Sequence, residues 1–221
     1  MTDAEFSAFV AAQIGAEPKA LPHFSAARCP DQIIGYAKYT TDAPPGVRLW
    51  LPKAQRKLHA AYLEQFEAIR QSLVLVIESP HKDEYADPDF VAPALGKTGE
   101  YLQAHLPALL ASLQAQIAPG KYTIVLANTV QRQCSLGEPP QKYRDALWRA
   151  LWEREEAAFL ERIASYRPQC LFEMCTASDG RKQKVRRALA ARFAALPLFS
   201  TPHPCSWWQP GNRRLQRLPQ A

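Results

Sequence analysis

The stretch LVLVIESPHKDEYADPDFVAPALGKTG, residues 73–99, decides the fold. It opens on an unbroken apolar run, Leu73 to Ile77. A short apolar run bounded by turn residues reads as a strand buried on both faces. The run turns polar at Glu78-Ser79-Pro80-His81, the kind of place where an open parallel sheet binds ligands, outside the carboxyl end of a strand. The loop continues through Lys82, Asp83, Glu84 and Tyr85 and closes on Gly96-Lys97-Thr98-Gly99, where a helix begins. A loop of this length in a compact domain is usually functional.

A regular alternation follows from that strand. Strand 73–77 leads to a helix over 98–117, interrupted at Pro107. Strand 122–127 leads to a helix over 140–165, strand 170–174 to a helix over 180–195, and a last strand covers 198–201. The alternation predicts an α/β fold: a four-stranded, mainly parallel sheet with helices on both faces. Right-handed crossovers bring the carboxyl ends of all four strands to one edge. Upstream, Phe6, Phe9, Val10 and Ile14 form one helical stripe. Ile33–Tyr39 and Val47–Leu51 read as a hairpin across Pro44-Pro45-Gly46, and residues 53–71 as an amphipathic helix. Residues 1–70 are thus an N-terminal extension packed on an α/β domain over 71–221, the two forming one structural unit.

The chain has 221 residues, 47% of them hydrophobic, and a net charge of +6. Those values suit one well-buried globular domain. The basic excess is concentrated at the end. From Ala177 onward Asp179 is the sole acid among Arg181, Lys182, Lys184, Arg186, Arg187, Arg192, Arg213, Arg214 and Arg217, as expected for a polyanionic partner or a solvated helix face. Cys29, Cys134, Cys170, Cys175 and Cys205 include no C-x-x-C pair, which argues against a zinc ribbon or a thioredoxin motif. There is neither a signal-peptide pattern nor a long apolar stretch. The expectation is a soluble cytoplasmic monomer with free thiols and no membrane contact.

The common edge collects Glu78-Ser79-Pro80-His81 from the first strand, Asn128-Thr129 from the second, Cys175-Thr176 from the third, and Pro202-His203-Pro204-Cys205-Ser206-Trp207-Trp208 from the fourth. Singly, Asn128 reads as a turn residue, His203 as a loop histidine and the tryptophans as core. Their convergence favours a site. This order resembles the uracil-DNA glycosylase superfamily, with its first motif after strand one, an Asn after strand two and H-P-S after the last strand. It is similar to the branch whose first motif reads G-E-A-P-G, followed by an acidic pair and G-x-x-G-x-x-L. Here these are Glu78-Ser79-Pro80-His81, Asp83-Glu84 and Gly96-Lys97-Thr98-Gly99-Glu100-Tyr101-Leu102. Arg167-Pro168 also resembles the R-P before the third strand. The chain departs at Ile77 and His81, where glycines are expected, and at Cys205, where a serine is expected. That branch holds an iron–sulfur cluster on four cysteines, and Cys29 stands alone here. Neither cluster, structural zinc nor other cofactor is therefore expected.

The resemblance implies a three-layer uracil-DNA glycosylase-like fold and a DNA glycosylase acting on single- or double-stranded DNA. Cleaving an N-glycosidic bond creates a cationic sugar and an anionic base. Glu78, or Asp83 and Glu84 in the same loop, would serve the sugar side. His203 would donate to the leaving base through Nε2. Asn128, with a donor and an acceptor, would read the base edge, beside Ser79, Pro80 and His81, with Phe90 or Leu95 stacking on it. Gly96, Lys97, Thr98 and Gly99 would contact DNA with Cys205, Ser206, Trp207 and Trp208, the tryptophans as wedge. Arg186, Arg187, Arg213 and Arg214 would hold phosphates. Two other readings compete: a nucleic-acid-binding relative without catalysis, and an unrelated enzyme using Cys205 with His81 as nucleophile and base.

Overall fold

The computed structural model describes residues 2–14, 25, 27–50, 69–87, 89–135, 143–176 and 180–219. In chain order the elements are α1 (Asp3–Ile14), β1 (Gln32–Tyr39), β2 (Gly46–Leu49), β3 (Ser72–Ile77), α2 (Lys97–Ala111), β4 (Gly120–Asn128), α3 (Arg144–Ser165), β5 (Pro168–Glu173), α4 (Arg181–Arg192), β6 (Leu198–Ser200) and β7 (Gln216–Arg217). The helix expected over 53–71 falls almost wholly outside the described residues.

The fold is α/β, with a larger and more mixed sheet than the alternation predicts. Seven strands pair in the order β2-β1-β4-β3-β5-β6-β7. The central four, β4-β3-β5-β6, are parallel. The pairings β2–β1, β1–β4 and β6–β7 are antiparallel. The expected hairpin forms, and β1 goes on to pair along β4 from Gln32↔Leu126 to Tyr39↔Gly120. β1 and β7 thus cover what would be the open edges of the parallel core.

β3 shows why its apolar run is unbroken. Leu73, Leu75 and Ile77 face a core shared with Leu102, Leu106 and Leu110 of α2, whereas Val74 and Val76 face a second core with Phe6 of α1, Leu147 and Trp148 of α3, and Val185 of α4. Side chains alternate along a strand, so a strand between two helical layers is apolar at every position. Helix α2 runs through Pro107 without a break. An interior proline costs about 3 kcal/mol. Burial of Leu102, Leu106, Leu109 and Leu110 on the sheet contributes roughly 1.5–3 kcal/mol apiece and outweighs it. The helix ends at Ala111 rather than 117, and Gln114–Gln116 forms a separate 3-10 turn. Among the described residues no helix is long and apolar enough to cross a membrane.

Candidate functional site

The ends of β3, β5 and β6 open onto one cleft of about 410 Å3. Glu78, Ser79 and His81 enter it from the end of β3, and Asp83 and Glu84 from the 3-10 turn Lys82–Tyr85. Gly96, Lys97 and Thr98 enter from the start of α2, Arg144 from the start of α3, Thr176 from beyond β5, and His203 and Cys205 from beyond β6.

Glu78 is 4% exposed. Its Oε2 accepts the Thr176 backbone N–H at 3.2 Å. Its Oε1 lies 3.0 Å from Arg181 Nη1 and 3.6 Å from Arg144 Nε. Asp145 bridges the same two guanidiniums, bonding Arg181 and lying 3.3 Å from Arg144 Nε. A buried charge needs such partners. The sequence places Arg181 only in the basic stretch that suits a polyanionic partner or a solvated helix face, and it gives Arg144 no role. Neither residue carries a motif signal, because the carboxylate they pair with is far away in the chain.

His203 stands before the 3-10 turn Pro204–Ser206, and its Nδ1 accepts the Cys205 backbone N–H at 3.2 Å. A backbone N–H only donates, so the neutral ring carries its proton on Nε2. Burial, then the charges of Lys182, Arg144 and His81, lower its pKa to about 4. The imidazole is therefore an uncharged donor at neutral pH. Cys205 Sγ lies 3.0 Å from the same Nδ1. Burial and then Glu78 raise the thiol's pKa, which keeps it protonated. His81, its expected partner in the nucleophile reading, is occupied elsewhere. The His81 Nδ1 caps the 3-10 turn through Asp83 N at 3.4 Å and lies 3.1 Å from Asp83 Oδ2.

Glu84 closes the loop that forms one wall of the cleft. Its buried carboxylate accepts His81 N at 2.7 Å and Ala94 N at 2.8 Å. Burial pushes its pKa up to about 8 against the pull of those two N–H groups. Ala94 holds a left-handed φ of 60°, a conformation unusual for a residue with a side chain and typical of loops fixed by their surroundings. Glu84 is a brace for this loop.

Other expected site residues do not line the cleft. Asn128 is fully buried at the end of β4, beside cleft-lining Ile77 in register, but its Nδ2 points to Cys29 Sγ, 3.8 Å away. Pro80 and Gly99 are buried, and Phe90, Leu95 and Ser206 half-buried. Ser206 Oγ donates to His203 O at 2.8 Å. Trp207 is core, donating through Nε1 to Pro202 O at 3.0 Å, whereas Trp208 is 60% exposed. The paired-wedge expectation is corrected: only the second tryptophan is on the surface.

Arg186 is bound to Glu173 at 2.9 Å and to Ser200 Oγ, which corrects its expected role as a free phosphate contact. Glu173 is fully buried at the end of β5 and needs that neutralisation. Arg187 and Arg214 are exposed, and Arg213 is half-buried, donating to the carbonyls of Trp207 and Trp208. All five cysteines are free. Among the described residues no group of three His, Cys, Asp or Glu is placed to hold a metal ion.

Comparisons with family models, curated proteins and solved structures return no significant match.

Proposed function

We propose that this protein is a uracil-DNA glycosylase-like hydrolase of N-glycosidic bonds, acting on uracil or a related damaged base in DNA. One observation carries the reading: Glu78 and His203, from the ends of β3 and β6, line the same cleft. The three-layer architecture and the loop order of the resemblance support it. In this reading the C1′–N bond breaks with its electron pair going to the base. His203 Nε2–H donates to the oxygen on which negative charge grows, and a neutral donor suffices. The carboxylate of Glu78 opposes the cationic sugar until water adds to C1′ and releases a proton to solvent. Exposed Trp208, Lys97, Arg187 and Arg214 supply stacking and phosphate contacts to DNA.

A second reading, a nucleic-acid-binding relative without catalysis, is favoured by Asn128, whose side chain packs on Cys29 instead of facing the cleft. Single-turnover assays on oligonucleotides containing uracil, xanthine or mismatches, single- and double-stranded, decide between them. Release of one base supports the glycosylase. DNA binding without release on any substrate supports the second reading.

A further inference from the structure

Lys182, second residue of α4, is 6% exposed. Lysines are almost never so buried unless paired. Its Nζ donates to Thr201 O at 2.6 Å and to Cys175 O at 3.1 Å, and lies 3.3 Å from Glu173 Oε2. Cys175 follows β5 and Thr201 follows β6, where the β5–β6 register ends at Glu173↔Ser200. Beyond that point the strand exits carry Thr176 and His203 into the cleft. One ammonium therefore continues the strand pairing where the ladder stops.

We propose that Lys182 is a positioning residue: its ammonium ties the exits of β5 and β6 together and sets where His203 stands opposite Glu78. The proposal rests on the reading that His203 acts in the cleft. Lys182 does not line the cleft and acts through His203. Its charge has a second consequence. The groups that face the imidazole are the Cys205 thiol, 3.0 Å from Nδ1, Lys182 from α4, Arg144 from α3 and His81 from the loop after β3, with Glu78, Asp83, Glu84 and Lys97 in the same cleft. Lys182 is the strongest of the charges opposing protonation of His203. It also keeps Nδ1 available to the Cys205 N–H, since protonating that nitrogen breaks the bond.

The test is an NMR titration of the His203 ring in the full chain, beside single-turnover excision, for wild type, Lys182→Met and Lys182→Arg. In wild type the ring stays neutral down to about pH 4. In Lys182→Met its titration should move up toward the ordinary value near 6.5, burial still holding it below that value. Lys182→Arg keeps the charge and the low titration point. Its longer, planar guanidinium sets its donors in different directions from the ammonium and shifts the two carbonyls it bonds, and excision should fall about tenfold or more. A lysine that only stabilises the fold would lower Tm in both variants and leave single-turnover excision by folded Lys182→Arg at the wild-type rate. An unchanged His203 titration in folded Lys182→Met overturns the proposal. If that variant does not fold, wild-type excision by Lys182→Arg overturns it. Absence of excision in wild type on every base would overturn the glycosylase reading, while the titration still decides whether Lys182 governs His203.

Discussion

Glu78 Oε1 lies 3.0 Å from Arg181 Nη1, with the two side chains 5% and 2% exposed. The end of β3 is thereby joined to the first residue of α4 through a buried ion pair. Such a pair adds little net stability when intact, but breaking it from one side costs about 3–5 kcal/mol, because it strands a buried charge.

Arg181→Met should therefore lower unfolding free energy by about 3 kcal/mol, read by urea denaturation. Glu78→Gln should act differently. Under single-turnover conditions it should slow excision about a hundredfold or more, with DNA affinity nearly unchanged, because the lost charge matters mainly in the transition state. Full activity in Glu78→Gln would remove it from the mechanism and move the sugar-side role to Asp83, the more exposed carboxylate of the same cleft.

Much of this arrangement was legible from the chain and part was not. The apolar run of β3 and the polar break after it located the cleft, because burial on both faces leaves a compositional mark. β7, only Gln216 and Arg217, is too short to show a period. β1 read correctly as a hairpin strand, but nothing in its alternation indicated that its other edge pairs with β4. Arg144 and Arg181 were invisible as partners of Glu78, since ion pairing between distant elements leaves no local pattern. Asn128 shows where the reading stops. Leu126 and Asn128 are two apart and share a face of β4, and Leu126 belongs to the core on the α2 side. Position at a strand end was readable; what the amide would touch was not.

Glu84 gives a pH prediction. Its folded pKa, about 8, lies above the ordinary 4.5, so the native state binds its proton more tightly than the unfolded chain. The stability from this group is fully present below about pH 4.5 and is lost as pH rises through about 8, at up to roughly 1.4 kcal/mol per pH unit. His203, with its lowered pKa, has the opposite sign, its contribution growing as pH rises from about 4 toward 6.5. The difference between wild type and Glu84→Gln isolates the first effect. In urea titrations from pH 5 to 8 wild type should lose stability relative to the variant. A difference that stays flat across that range would mean Glu84 is already ionised at pH 5.

The exposed basic and aromatic side chains should govern DNA affinity. Arg187→Ala with Arg214→Ala should weaken binding to all sequences alike and reduce the salt slope by up to about 0.9 per lost duplex phosphate contact. Trp208→Ala should weaken binding without lowering Tm, since that ring is in solvent, whereas Trp207→Ala should cost about 3–5 kcal/mol as a core deletion. Arg186→Ala should chiefly destabilise the fold by leaving Glu173 with one cation fewer. Affinity that does not change between about 50 and 200 mM salt would show that no phosphate is held.

The β1–β2 hairpin depends on Gly35, where an added Cβ would sit 2.2 Å from the Arg48 carbonyl oxygen. That contact is with backbone and cannot be relieved by a rotamer change. Gly35→Ala should cost about 1–3 kcal/mol, as overpacking does, and should leave excision unaffected because the hairpin lies outside the cleft. A Tm equal to wild type would mean that β2 moves off the edge without penalty.

Asn128 separates the two functional readings. Among the described residues its Oδ1 has no hydrogen-bond partner, and its Nδ2 faces Cys29 Sγ at 3.8 Å. If Asn128 reads the base, Asn128→Ala should change the ratio of rates between uracil and xanthine substrates and leave the unfolding free energy within about 1 kcal/mol of wild type, the usual worth of one hydrogen bond. If it serves only the packing behind the cleft, every substrate should be affected equally, in proportion to lost stability. Asn128→Asp is the harsher version. It buries an extra carboxylate close to Cys29, whose thiol already feels Glu84 and Asp31, so the new group should titrate well above the ordinary carboxylate range. Base preference in that variant should then depend on pH if Asn128 reads the base. A preference that is independent of pH and identical to wild type would assign the amide to the core.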